Sequence, residues 1–270
     1  MNGRAEPDLV SLPARDVDRA PPLVYGPVHS RRFGRSLGIN LLPQGIRLCT
    51  YDCSYCQCGG ERARHRRRAD PPFPSLASLE RDLVEALTTD PAINDICFAG
   101  AGEPTLHPRF REALLLARTL RDRLAPRATV TVLSNGVAAG KATVRGALAL
   151  ADRAVLKLDA ARDDLLRALN ATPRGLSARR LIEVYARMMG VETQTLLVRG
   201  AVDNATPGAI DALGEALRCI HPRRAHLGTI TRAPAATPVY SSTLPLSVAD
   251  LDAAAARLRT LAPGIEVIAY

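Results

Sequence analysis

Four cysteines, Cys49, Cys53, Cys56 and Cys58, fall within ten residues of this 270-residue chain. The spacing Cys49-x-x-x-Cys53-x-x-Cys56 sets three thiolates on one short loop. Such a loop can hold three irons of a cubane cluster and leave the fourth iron open to a ligand. Zinc takes the same donors, but its structural sites normally draw four ligands from two separated pairs. Cys58 offers a fourth thiol at an awkward Cys-x-Cys bite, and no second Cys-x-x-Cys occurs elsewhere. A disulfide framework is the poorer reading. The chain is long enough to bury a core without staples, and its first residues carry no apolar signal region. Cys97 and Cys219 lie inside apolar patterns and read as small buried hydrophobes.

Three more polar motifs accompany the cysteines: Gly100–Thr105, Ser134-Asn135-Gly136 and Lys157-Leu158-Asp159. Each follows an apolar run that reads as a strand: Ile93–Phe98, Ala128–Leu133 and Ala154–Leu158. Ser36–Leu42 reads as the first strand, ahead of the cysteine loop. Helical periodicity follows at Ser75–Leu87 with Ser78 as its cap, at Pro108–Leu124 and at Ala142–Leu150. It recurs at Asp163–Leu169, Ser177–Met189, Pro207–Ile220 and Val248–Leu261. Val191–Val198, Arg224–Ile230 and Ile265–Tyr270 read as the later strands. Strand, loop and helix thus repeat about every 30–40 residues, the rhythm of a parallel α/β fold. About six units predict a partial (β/α)6, TIM-like barrel, because eight full units need about 250 residues. Ligands in such folds sit at the carboxyl ends of the strands, so the polar motifs should meet in one pocket. Residues 1–22, proline-rich and charged, read as a mobile arm, and residues 23–270 as one domain.

Composition bounds the class. Hydrophobic residues are 47% and charged residues 23%, which is globular. No stretch nears the roughly 20 apolar residues of a membrane helix, so an integral membrane protein is excluded. The formal charge is +9, but only Lys141 and Lys157 are lysines. An arginine- and alanine-rich bias accounts for much of that excess. Arg62–Arg68, with five arginines and His65, reads first as a solvated loop. Phosphate or RNA contact is the sharper alternative, without interleaved aromatics to stack bases.

Cys49, Cys53, Tyr55 and Cys56 together resemble the cluster motif of the radical S-adenosylmethionine (SAM) enzymes. Tyr25–Gly38 resembles the leading segment of a bacterial Fe–S oxidoreductase subgroup. That subgroup is distantly similar to enzymes that build the wyosine base of tRNA. Phe98–Pro108 matches the family's Gly-Gly-Glu-Pro region, with Ala101 at the first glycine. Leu133–Gly136, Leu156–Asp159, Gln194–Val198 and Thr231–Ala235 match later strand ends. His29, Cys58 and the basic Arg62–Arg68 run depart from the subgroup's usual pattern.

The resemblance implies a [4Fe–4S] cluster on Cys49, Cys53 and Cys56, and SAM as the second cofactor. Cleavage of SAM to a 5′-deoxyadenosyl radical would let the enzyme take hydrogen from a small or anionic substrate. Tyr55 would lie beside the adenine. The backbone of Ala101, Gly102, Glu103 and Pro104 would face the methionine amine, or Glu103 would hold that loop by hydrogen bonds. Ser134 and Asn135 would meet the carboxylate or ribose, or simply form a turn. Lys157 would suit a carboxylate and Asp159 a ribose diol, a buried ion pair being the competing reading. Gln194 and Arg232 are weaker candidates. His29, Arg31, Arg32 and Arg35 either line a substrate mouth or cap the bottom of the barrel, and His107 caps the next helix. The implied partner is a one-electron donor of the flavodoxin or ferredoxin type, and the implied compartment is reducing and cytoplasmic. Modification of tRNA, aminocarboxypropyl transfer from SAM, and a non-catalytic metal-stabilised nucleic-acid-binding protein are the alternatives.

Overall fold

A hairpin opens the structure: β1 (Val24–Ser30) turns at Arg31–Phe33 into β2 (Gly34–Ile39), which it pairs antiparallel. The computed structural model describes residues 22–58, 61–63, 72–231 and 243–270. The expected arm up to residue 21, Arg64–Arg68 and Arg232 lie outside them. β3 (Ile46–Leu48) and β4 (Glu61–Ala63) form a small parallel pair flanking the cysteine loop. From there strands and helices alternate: α1 (Leu76–Thr89), β5 (Asp95–Phe98), α2 (Phe110–Leu124), β6 (Thr129–Ser134), α3 (Ala142–Leu148) and β7 (Arg153–Lys157). Next come α4 (Asp163–Asn170), α5 (Ala178–Tyr185), β8 (Glu192–Leu197) and the short β9 (Arg199–Gly200). The series ends with α6 (Pro207–Ile220), β10 (Arg224–Thr229), β11 (Thr243–Leu244), α7 (Val248–Leu261) and β12 (Glu266–Ala269).

The main sheet runs β1-β2-β5-β6-β7-β8-β10-β12. Every neighbouring pair after the hairpin is parallel. Its order is linear and each crossover carries a helix, so the sheet is an open, TIM-like partial barrel of six β/α units. The helices bury one stripe each. In α1 Leu79, Leu83 and Leu87 recur every fourth residue and are fully enclosed. All four residues of β5 are buried, as expected of a strand covered on both faces. Asp95 enters the barrel interior with partners for both its oxygens. Asp95 accepts from Ser36 Oγ at 2.8 Å, from Thr129 Oγ1 at 2.9 Å, and from Thr131 Oγ1.

Four sequence expectations change. β1 is missed, because Gly26-Pro27 breaks its apolar run. An edge strand tolerates proline where a central one does not. The cap of α1 is Ser75, whose Oγ accepts from Ser78 N at 3.0 Å; Ser78 is the donor residue rather than the cap. Cys219 is exposed, not buried. On α6 the buried stripe is Ile210, Leu213, Ala216, Leu217 and Ile220, which turns residue 219 outward. The cysteine loop follows β3, not the first strand of the main sheet directly.

Candidate functional site

Leu48 ends β3 and is bridged in parallel to Gly102. Glu103 N donates to Leu48 O at 2.9 Å. Gly102 has φ +144°, and a Cβ there would stand 1.8 Å from Leu48 O. Only glycine lets the two loops touch this closely, so the first cysteine is fixed against the Glu103 loop. Farther along, Asp52 N donates to Asn170 O at 2.8 Å and Ser54 N to Leu169 O at 2.7 Å. The far side of the cysteine loop is therefore tied to the end of α4.

The thiols of Cys49, Cys53 and Cys56 line a cavity of about 540 Å³ together with Cys58. Asn135 Nδ2 donates to Thr50 Oγ1 at 2.8 Å and lies 3.6 Å from Cys49 Sγ. Asn170 Nδ2 lies 3.3 Å from Cys53 Sγ. Burial, and then the charge of Glu103, pushes the Cys49 thiol up to about 12. Burial pushes Cys53 up to about 11, with Lys157 opposing. Cys56 goes the other way, below its ordinary value, chiefly through its hydrogen bonding with Cys58, with Arg47 adding to it. Arg47 is itself paired to Asp52 at 2.7 Å.

The strand ends supply the rest of the wall. Glu103 is buried and holds its neighbourhood together. It accepts from Thr105 N at 3.2 Å, Thr105 Oγ1 at 2.6 Å, Ser134 Oγ at 2.8 Å and Asn135 N at 2.7 Å. That is the loop-holding geometry rather than a free carboxylate. Ser134 Oγ also accepts from Gly136 N at 3.0 Å. Gly136, at φ +75°, packs so close that a Cβ would lie 2.0 Å from Tyr185 Oη. Tyr185 Oη lies 2.9 Å from Lys157 O and 3.1 Å from Asn135 O, which locks the ends of β6 and β7 together. Ala101 N donates to Asn40 Oδ1 at 3.2 Å; Ala101 is buried behind the wall that Gly100 and Gly102 line.

Tyr55 lines the cavity, and its hydroxyl joins a polar network. The hydroxyl donates to Asp159 and accepts from Lys157 Nζ at 2.7 Å. Lys157 Nζ sits 4.9 Å from the Tyr55 ring centre and 3.5 Å from Asp159 Oδ2. Asn170 Nδ2 donates to the same oxygen at 2.7 Å, and Leu196 N to Asp159 Oδ1 at 2.9 Å. Both Asp159 oxygens are thus engaged by protein donors and Asp159 is fully buried. The geometry is that of the buried ion pair.

Of the other candidates, His29, Arg31, Arg32 and Gln194 line the cavity, while Arg35 is turned away to Asp90. His107 Nε2 lies 3.1 Å from Pro74 O, and its Nδ1 accepts from Arg109 N at 3.1 Å where α2 begins. Sequence patterns did not mark Asn170, Tyr185, Asn40 or Tyr51. Asn170 and Tyr185 act through contacts between distant segments, which no local spacing reveals. Tyr51 is buried in the cavity wall, and its hydroxyl has no partner among the described residues.

The donor set can be tested against the groups it would hold. Among the described residues, no group of three or more His, Cys, Asp or Glu is set to hold a single metal ion. A single zinc would need its sulfurs to converge within about 2.3 Å of one point. A cubane gives each thiolate its own iron, so three spread thiols beside an open cavity fit it. The unpartnered Tyr51 hydroxyl fits a polar ligand in the same cavity.

The sequence profile of the Radical SAM superfamily matches residues 44–211. This chain belongs to the radical SAM superfamily. It is therefore an enzyme of a class that works with a [4Fe–4S] cluster and SAM. Over 147 residues it is 33% identical to a GTPase Obg of Brachyspira hyodysenteriae, covering 54% of this chain and 20% of that protein. It is 35% identical over 173 residues to a UPF0026 protein of Synechocystis sp., covering 64% of this chain and 59% of that one. The chain thus spans less than two thirds of either relative's length. Among solved radical SAM folds, it is similar to a methyltransferase from Sphaerobacter thermophilus. The TM-score is 0.62 at 19% identity, over 87% of this chain and 65% of that one. It is also similar to TYW1 with a lysine-pyruvate adduct bound, at TM-score 0.59 and 15% identity, over 84% and 73% of the two chains. At these identities the likeness is one of fold. No helix among the described residues is long and apolar enough to cross a membrane.

Proposed function

We propose that this radical SAM enzyme binds three irons of its cluster through Cys49, Cys53 and Cys56 and turns over a small or anionic substrate in the adjoining cavity. The observation that carries this reading is the placement of those three thiols at a cavity walled by three successive strand ends. When bound, the cluster and SAM supply a 5′-deoxyadenosyl radical that takes hydrogen from the substrate. The chain's own residues position and enclose. Gly100, Gly102 and Ser134 form a wall that polar groups of SAM can approach closely. Tyr55 offers an aromatic face, held flat by the Asp159–Lys157–Asn170 network behind it. Lys157 keeps positive charge at the cavity edge. Asn135 and Asn170 grip the cysteine loop from both sides. Glu103 and Asp159 act as positioning residues, through the loops they hold. A one-electron donor of the flavodoxin or ferredoxin type and a reducing, cytoplasmic setting complete the proposal.

The test is anaerobic reconstitution with iron and sulfide, then reduction in the presence of SAM with product analysis by mass spectrometry. A brown protein should release 5′-deoxyadenosine, and a Cys49/Cys53/Cys56→Ala variant should release none. An aminocarboxypropyl product instead would redirect the bond that is broken. A colourless zinc protein that leaves SAM intact would overturn the proposal.

A further inference from the structure

The turn between β1 and β2 enters the barrel from the amino ends of the parallel strands. Phe33 is buried edge-on against His226, with ring centres 6.1 Å apart. Arg32 and Arg153 flank the Phe33 ring at 4.9 and 5.5 Å. This turn closes the floor of the half-barrel, and Arg32 reaches past it into the cavity. There Arg32 Nη1 donates to Gln194 Oε1 at 2.5 Å. Lys157, Gln194 and His226 share one register row across β7, β8 and β10, so the Arg32–Gln194 pair lies level with the Lys157 edge.

Among the described residues, the buried carboxylates of the barrel make their bonds to groups other than Arg32. Asp95 accepts from three hydroxyls. Glu192 Oε2 lies 2.6 Å from His226 Nε2, its Oε1 being buried without a partner among the described residues, and Asp159 serves the Tyr55 network. Among the described residues Arg32 makes no ion pair, whereas Arg47 across the cavity has Asp52. His226 does not replace a counterion. Burial holds its pKa below the ordinary value, and it lies between Glu192 and Tyr270 Oη, the latter 2.9 Å from Nδ1. With Gln194 Oε1 turned to Arg32, the Gln194 amide N–H groups have no partner among the described residues.

We propose that Arg32 and Gln194 form a subsite for a compact oxyanion, the carboxylate or phosphate end of the substrate. This rests on the reading that the cavity is the reaction chamber of a radical SAM enzyme. A guanidinium taken partly out of water without a counter-charge is costly. Burial accordingly pulls Arg32 below its ordinary pKa, with Asp95 among the groups that oppose it. An entering oxyanion removes that cost and matches the planar fork of N–H donors, with the Gln194 amide as a further donor. A turn that merely plugged the floor would need Phe33 but no unpaired cation beside it.

The test compares melting temperatures of the reconstituted protein in chloride, in inorganic phosphate and in malonate at matched ionic strength. Wild type should gain about 2–4 °C with phosphate or malonate. The anion giving the larger shift identifies phosphate or carboxylate as the substrate group, and equal shifts still support an oxyanion site. Arg32→Gln should lose the gain, and the surface variant Arg109→Gln should keep it. Gln194→Glu guards against misfolding: it places a carboxylate beside Arg32, so it should keep the chloride melting temperature and lose the anion response. No gain in wild type overturns the subsite. So does an equal gain in both site variants, which would be general salt exclusion. SAM cleavage is measured on the same preparations. 5′-Deoxyadenosine without an anion response sinks the subsite alone, and an anion response without 5′-deoxyadenosine sinks the radical reading alone.

Discussion

Glu103 and Tyr51 are buried polar residues with opposite energetics. Glu103 gathers Thr105, Ser134 and the Asn135 amide around one carboxylate. Its removal leaves several donors enclosed without an acceptor, and each such group costs about 1–3 kcal/mol. Glu103→Ala should therefore lower stability by about 3 kcal/mol, read as a drop in the urea midpoint under anaerobic conditions. Tyr51 stands in contrast, because its buried hydroxyl has no partner among the described residues. Tyr51→Phe removes a desolvated group that makes no bond, and in cluster-free protein it should raise stability by about 1 kcal/mol. The same variant should weaken SAM binding, measured by equilibrium dialysis on loaded protein. A loss of stability in Tyr51→Phe would mean that the hydroxyl has a protein partner. The sequence names Glu103 within a recognisable motif, but it is silent on Tyr51, because only the fold shows which hydroxyl is left alone.

At the scale of elements, the cysteine loop and the Glu103 loop meet through one backbone contact, Leu48 against Gly102. Gly102→Ala forces a Cβ onto Leu48 O, a backbone atom that moves only if β3 moves. The expected cost is about 3 kcal/mol, with lowered iron retention against a chelator, and an unchanged melting curve would refute the contact. The strand–helix order around these loops is legible from apolar runs and periodicity: α7 runs over Val248–Leu261 as the pattern states. The hairpin strand β1 is not, since its Gly26-Pro27 pair mimics a loop and its role as floor depends on strands over a hundred residues later. The pairing of Asn170 with Cys53 and Asp159 is hidden for the same reason. The Cys53 contact joins a helix end to a loop 117 residues earlier, and no spacing rule reaches that far.

The basic excess of the whole chain is partly answered in place. Arg81–Asp82, Arg109–Glu112, Arg162–Asp164, Arg179–Glu183 and Arg257–Asp211 pair on the surface. Such pairs add little stability, so the molecule's cohesion must come from its core and from the loop that spans the barrel mouth. That loop bonds to β4 through Cys49 N, to α4 through Asp52 N and Ser54 N, and to the end of β6 through Thr50. A ligand that joins Cys49, Cys53 and Cys56 therefore ties together elements from both halves of the sheet. Binding to the folded state alone stabilises by RT ln(1 + [L]/Kd), about 4 kcal/mol at a thousandfold excess over Kd. For a chain of this size that corresponds to roughly 10 °C. Anaerobic calorimetry should show reconstituted protein melting about 10 °C above cluster-free protein, in one transition. A chelator should reverse the shift, and the Cys49/Cys53/Cys56→Ala variant should show none. Asn170→Ala should lower the loaded protein's melting temperature more than the cluster-free protein's, because it loosens the loop where Cys53 is held. Coincident curves with and without iron would mean that the loop melts independently of the barrel, and the proposed coupling between cluster and fold would be lost.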